Sequence, residues 1–363
     1  MLPPGTQAQS PSRSLVTTRE SSMTGADPRS ASGTKSFPRE NRTMPLTPIR
    51  KDQLSKVGVG VQRPEDVVVS RDGRVWMSDQ ASAAAEALPD GTLNRVGNAG
   101  GAPNGNNMDT DGRIIIANVG GLDGQGSDDS GVGPVQRLDV DTGEIEVLAD
   151  QIDGIPLVAS NYPHVDSQGR IWVTHSTSRS GGDAFSGDPD GFLFRIETDG
   201  SLTMLATEIE FANGITLDPR EENAYVCSTT GCHVLRYPIN DDGTLGEPEV
   251  YGPQLGKSVD DLAAMRPLSA EQRGELGLTD GCGFDQEGNL WVTLPMSNKV
   301  VAITPQFEVV TMIEDLEGEI MQAPTNVSWG GDDMSDLYIG SIRSDYVVHA
   351  RSPIPGEPLV HQR

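Results

Sequence analysis

The sequence predicts an all-β fold, a six-bladed β-propeller with four-stranded antiparallel blades, and three observations carry that expectation. The 363 residues include 42 Gly and 25 Pro, and apolar residues show little sustained periodicity of helical type, so short strands and many turns are expected. Six segments repeat one plan along the chain, the signature of an architecture built from identical units. Further strand-like runs follow most of these segments, which makes four strands per unit.

The repeated segments read PEDVVVSRDGRVWMSD, PNGNNMDTDGRIIIAN, SNYPHVDSQGRIWVTH, ANGITLDPREENAYVCS, TDGCGFDQEGNLWVTL and PTNVSWGGDDMSDLYIGS. In each, a polar lead residue precedes a short strand, a turn follows, and a second strand carries an aromatic or branched apolar residue. The leads are Glu65, Asn104, Asn161, Asn213, Asp280 and Asn326. Gly73, Gly112, Gly169 and Gly288 stand eight positions after their leads; Trp76, Ile115, Trp172 and Trp291 stand eleven after, and Tyr225 and Tyr338 twelve after. GFLFRIE and SLTMLAT supply the outer strands of the third unit, KVVAIT and EVVTMIE those of the fifth. Radial repetition leaves only short, protected sheet edges; a barrel or a sandwich would not repeat this way. The last unit has a third strand at DYVVHA. Its fourth comes either from LSKVGVGVQ near residue 54, which closes the ring, or from the C-terminal EPLVHQ.

One propeller domain is expected over residues 52–363, preceded by a segment, 1–51, whose Ser, Thr, Pro and Arg content reads as a disordered tail. That tail lacks the apolar stretch of a secretion signal and the chain has no apolar run of 18 residues, so the expectation is a cytoplasmic protein with no membrane partner. A net charge of −26 repels phosphate backbones and anionic lipids. Nucleic acid is therefore excluded as a partner and a small molecule is expected, bound by a monomer or small homo-oligomer. Cys227, Cys232 and Cys282 are too few for a disulfide framework or a zinc cluster, although Cys227 and Cys232 flank a short turn and could pair.

The two strands of a hairpin bring the residue before the first and the residue ending the second to the same end of a blade. With the first strand innermost, the six leads ring one mouth of the channel. Any single Asn-Gly or Asp-Gly pair is an ordinary turn former. Glu65, however, is not a favoured turn residue, and two carboxylates close to one axis repel unless a cation or a proton lies between them. Two carboxylates and four amides without a thiolate form a hard oxygen site, suited to Ca²⁺, Mg²⁺ or Mn²⁺ rather than structural zinc. Asp79, Asn118 and His175, each fourteen residues after its lead, are expected to line the same pocket. His164, on the inner strand after Asn161, and the leads Asn104 and Asn326 complete the expected substrate-binding set. His175 has the chemistry of a general base near neutral pH. Three long connections, 119–133, 176–190 and 252–279, are expected over this mouth. The third contains SVDDLAAMRPLSAEQRGELG, with a capping box from Ser269 to Gln272. It predicts a short helical lid with Met265 and Leu268 as an apolar roof.

On ANGITLDPREENAYVCSTTGCHVLRYPINDDGTLGEPEVY, LTDGCGFDQEGNLWV, APTNVSWGG and PNGNNMDTDGR, the chain resembles the SMP-30/gluconolactonase family across about residues 60–350. The resemblance implies one divalent cation, Ca²⁺ first with Mg²⁺, Mn²⁺ or Zn²⁺ as alternatives, held by Glu65, Asn161, Asn213 and Asp280. It implies hydrolysis of a lactone, or in some members of an organophosphate ester, with Asp280 as base or nucleophile and Glu65 beside it. The third-blade slot reads Asn161-Tyr162-Pro163-His164, whereas family members show Asn-Asp after a Pro. Ala159 stands where the sugar-lactone enzymes carry an Arg, which points away from gluconolactone as substrate. Two rival readings remain. Strictosidine-synthase-like propellers share the VLRYPI strand but lack the metal set, and a non-catalytic, metal-stabilised binding propeller needs no chemistry at all.

Overall fold

The computed structural model describes residues 46–98, 100–122, 131–179, 184–260 and 267–363. Each repeat folds as an antiparallel hairpin, and its first strand is the innermost of a four-stranded sheet. The inner strands are Val67–Val69, Pro103–Met108, Ser160–Val165, Ala212–Leu217, Cys282–Phe284 and Pro324–Gly330. Each touches the inner strands of the blades on either side, so the ring is closed. Closure of the sixth blade comes from the N-terminal candidate: Ser55–Val57 pairs antiparallel with Val347–Arg351. The C-terminal candidate instead crosses the far mouth, where His361 Nε2 and Gln362 Nε2 both donate to the Val69 carbonyl and Gln362 also to that of Trp329.

The repeated side chains explain why the blades pack. Trp76, Trp172 and Trp291 are wholly buried. One hydrophobic cluster lies at each junction between neighbouring blades, as where Trp172 and Leu193 of the third blade meet Leu217, Val226 and Tyr237 of the fourth. The indole N–H of Trp172 donates to Asp166 at 2.9 Å and that of Trp291 to Asp285 at 2.9 Å, which satisfies the one polar atom each ring buries. The same aspartates build the hairpin turns: Asp166 Oδ1 accepts from the backbone of Gln168 and Arg170, and Asp285 Oδ1 from that of Glu287 and Asn289. Gly169 (φ 78°) and Gly288 (φ 80°) complete these turns in the left-handed region that glycine tolerates.

Three details correct the sequence reading. Residues 46–51, assigned to the tail by composition, join the propeller: Ile49 is buried between the fifth and sixth blades and its N–H donates to Met312 O at 2.7 Å. The rest of the expected tail lies outside the described residues. All three cysteines are free and buried, and Cys227 packs with Cys282 of the next blade rather than pairing with Cys232. The expected helix is a single turn, Ala270–Arg273, with the predicted reciprocal cap between Ser269 and Gln272. Met265 lies outside the described residues, as do 123–130 and 180–183 of the two glycine-rich connections.

Candidate functional site

The lead residues reach the axis because the inner strands are irregular where they stand. The ladder slips at Pro103/Asn106, Ser160/Tyr162, Ala212/Ile215 and Pro324/Val327. These bulges flank Asn104, Asn161, Asn213 and Asn326, and a bulge re-aims the side chain it carries. The glycines after the leads are not turn residues. A Cβ on Gly214 would lie 2.6 Å from Asp280 O, and one on Gly281 2.5 Å from Thr325 O. Their N–H groups donate to those same carbonyls at 3.0 and 2.6 Å. Near the axis, adjacent inner strands approach too closely for a side chain.

Glu65, Asn104, Asn161, Asn213 and Asp280 line one cavity of ≈ 150 Å³, with Arg63 and Thr229 beside them. Hydrogen bonds hold the amides in order. Asn104 Nδ2 donates to Asn161 Oδ1 at 3.0 Å, Asn161 Nδ2 to Ser176 Oγ at 2.8 Å, and Asn213 Nδ2 to Thr229 Oγ1 at 3.1 Å. The carboxylates are only 6 % (Glu65) and 7 % (Asp280) exposed. Burial raises the pKa of both above the usual carboxylate range, and the charge of Glu65 raises Asp280 further; Arg63 opposes both shifts. Asn213 Oδ1 is buried without a hydrogen-bond partner, and Glu65 Oε2 makes no hydrogen bond but lies in ion-pair range of Arg63. Two larger hollows, ≈ 590 and ≈ 770 Å³, lie away from the axis and contain none of the leads.

Beneath the cavity lies a layer that the repeat pattern does not reveal. Asp66 is fully buried and accepts from the N–H of Val67 and of Asn106, each at 2.6 Å, and from Asn326 Nδ2. Burial outweighs these bonds and pushes its pKa up to about 7. Asn326, expected in the pocket wall, therefore belongs to this layer, with its Nδ2 also donating to the Tyr162 hydroxyl.

Four other candidates serve the scaffold, because their polar atoms are taken or turned away from the cavity. Asp79 accepts from Gln62 N, Ser82 Oγ and Arg95 Nε, each at 2.8 Å. Asn118 Oδ1 accepts from the N–H of Ala102 and Gly120. His175 Nε2 accepts from Val158 N and Ala159 N while its ring stacks on Phe192 at 4.3 Å. Burial lowers its pKa to about 4, so it is neutral at physiological pH. His164 is also lowered to about 4 by burial, and its titratable neighbours are Asp166, His361 and Arg363, at the far mouth.

Arg63 escaped the sequence reading because it precedes the first repeat and has no counterpart in the others. Its Nη2 donates to Asn104 Oδ1 at 3.0 Å and lies 3.3 Å from Glu65 Oε2, and its Nη1 donates to Pro103 O at 3.2 Å. Of the apolar residues around the cavity, Val119, Leu122, Phe185 and Leu278 lie in the three connections expected over this mouth, whereas Phe211 and Met296 come from outside them.

The family model for the SMP-30/Gluconolactonase/LRE-like region matches residues 89–343. The chain belongs to this family. Among family relatives, the 6-deoxy-6-sulfogluconolactonase of Pseudomonas putida is 26 % identical over 203 residues, 55 % of this chain and 60 % of that protein. The chain thus spans about three-fifths of that relative's length. Solved propellers align over more of it. A gluconolactonase from Xanthomonas campestris gives a TM-score of 0.61 at 19 % identity, covering 82 % of this chain and 89 % of the other. The calcium-binding protein regucalcin from Agrobacterium tumefaciens gives 0.61 at 17 % identity, covering 84 % and 95 %. At these identities the two structures speak to the fold.

Proposed function

We propose that this protein is a divalent-cation-dependent lactonase, with the cation held by Glu65, Asn161, Asn213 and Asp280. The observation that carries the reading is the pair of buried carboxylates, Glu65 and Asp280, at the floor of one cavity, where burial raises the proton affinity of both and the charge of Glu65 raises that of Asp280 further, while Asn213 Oδ1 beside them makes no hydrogen bond. The donors fit a hard cation. They are carboxylate and amide oxygens, and among the described residues no three His, Cys, Asp or Glu side chains gather in a cluster that could hold a metal. A calcium-binding protein among the solved neighbours and a sugar-acid lactonase among the relatives support the same reading. When bound, the cation supplies positive charge that draws electron density from the lactone carbonyl.

The chain's own groups supply the rest. Asp280, as carboxylate, takes a proton from water as the water oxygen bonds to the carbonyl carbon. The ring C–O bond then breaks, and the proton passes from Asp280 to the departing alkoxide, giving the open hydroxy acid. Asn213 hydrogen-bonds Asp280 and orients it. Arg63 lowers the proton affinity of both carboxylates and so favours the ionised form that this step needs. The histidines take no part. Hydrolysis of δ-lactones, followed with and without chelator and in Asp280→Asn, tests the proposal. Loss of about 10²–10⁴ in rate is expected in the variant, and turnover that ignores both changes would overturn it.

A further inference from the structure

Above its polar floor the cavity is apolar. Leu122, Phe185, Phe211, Leu278 and Met296 form its wall, and the Phe185 and Phe211 rings stack at 4.5 Å. Phe185 is 57 % exposed, Met296 36 % and Ile342 38 %. Large apolar residues left open to solvent around one mouth mark a surface that meets an apolar ligand. A neighbouring cavity of ≈ 450 Å³ shares Phe185, Leu278 and Met296, with Val259 and the polar Ser258 and Asp260 among its other lining residues.

The hydrogen-bond donors of the floor are already engaged. The Nδ2 groups of Asn104, Asn161 and Asn213 donate within the protein, and Arg63 donates to Pro103 O and Asn104. A polyhydroxylated lactone would bury several hydroxyls against this wall, where among the described residues Thr229 supplies the one hydroxyl of the lining side chains, and an unpaired buried hydroxyl opposes binding. An alkyl or aryl substituent gains from the same surface.

We propose that the substrates are δ- or γ-lactones bearing an alkyl or aryl substituent, whose ester group lies on the Glu65/Asp280 floor and whose apolar arm lies against Phe185, Phe211, Leu278 and Met296. This rests on the lactonase reading above and specifies its substrate class. The test compares kcat/KM of the cation-supplied full chain for δ-valerolactone, δ-hexalactone, δ-octalactone, δ-decalactone and glucono-δ-lactone. Transfer of one methylene out of water predicts a rise of about three- to four-fold per added carbon until the wall is covered, with glucono-δ-lactone below the alkyl series. Phe185→Ser, at a mostly exposed position, should lower kcat/KM for δ-decalactone at least ~10-fold more than for δ-valerolactone. A flat series, a preference for glucono-δ-lactone, or an equal loss on both substrates would overturn the inference. Should no lactone be hydrolysed, the lactonase reading fails separately, and calorimetric binding of the uncleavable 6-pentyl-2-piperidone against plain 2-piperidone decides the substrate-class question. Tighter binding of the pentyl compound that Phe185→Ser abolishes supports the apolar arm; equal affinity refutes it.

Discussion

Replacing Asp280 by Asn should stabilise the cation-free protein while abolishing its response to calcium. Asp280 is 7 % exposed, and its proton affinity is raised first by burial and then by the charge of Glu65. A carboxyl with a raised folded pKa binds its proton more tightly folded than unfolded. Its stabilising effect is therefore complete below the ordinary carboxylate range near about 4 and is lost as pH rises through the raised value. Without cation, deprotonating this buried pair costs folding free energy as pH rises. Asn keeps the shape and can still hydrogen-bond Asn213, and removing one of two like buried charges should stabilise by an amount comparable to the ~1–4 kcal/mol gained when buried ionic groups are replaced by apolar ones. At about 2 °C per kcal/mol for a domain of this size, Tm should rise by roughly 2–8 °C. In the wild type, Ca²⁺ at about 100 times its Kd should add about 2.7 kcal/mol by mass action, and the variant should lose most of that increment. Calorimetric melting at pH 8 in chelator and then in Ca²⁺ measures both effects. A lower Tm for the cation-free variant, or a calcium shift equal to that of the wild type, would refute the reasoning.

Four further outcomes follow from the geometry. Gly281→Ala would place a Cβ 2.5 Å from Thr325 O and 2.4 Å from Asn326 Oδ1, so a loss of about 1–3 kcal/mol is expected in urea denaturation. Gly169→Ala meets only Thr198 Cγ2, at an unstrained 4.0 Å, but keeps φ at 78°; the left-handed conformation alone should cost about 1–2 kcal/mol by the same measurement. Asp66, raised from 3.8 to about 7, should make the cation-free protein lose on the order of 4 kcal/mol as pH rises through that window, because the folded state holds the extra proton. Asp66→Asn should flatten that profile in pH-dependent melts. Because burial holds His175 near pKa 4, the rate profile of His175→Gln should keep the shape of the wild-type profile between pH 6 and 8. A new inflection there would place His175 in the reaction.

Much of the architecture was legible because it is written in short-range rules. The spacing from lead to glycine reports a hairpin, since the left-handed turn at Gly169 or Gly288 needs glycine locally, and Trp172 and Trp291 fall on the buried face three residues later. Five of the six leads do share one cavity. The candidates that left it, Asp79, Asn118, His164 and His175, were placed near the mouth by the hairpin argument, but hairpin position says nothing about which backbone N–H a side chain will satisfy. Asn326 shows the same limit. It occupies a lead slot, yet Asp66 and the Tyr162 hydroxyl draw it below the floor.

What the sequence by itself determined is a periodic property: blade number, strand order within each blade, and the exceptional carboxylates Glu65 and Asp280 in slots otherwise filled by Asn. Only the tertiary structure decided that Ser55–Val57 closes the ring, that bulges turn the leads inward, and that Arg63 and the loop residues Phe185, Phe211 and Leu278 surround them. The physical reason is range. Turn and strand preferences act over a few residues and leave a repeating trace. Burial, charge coupling and ring closure act between residues as far apart in the chain as Glu65 and Asp280, and no local pattern records them.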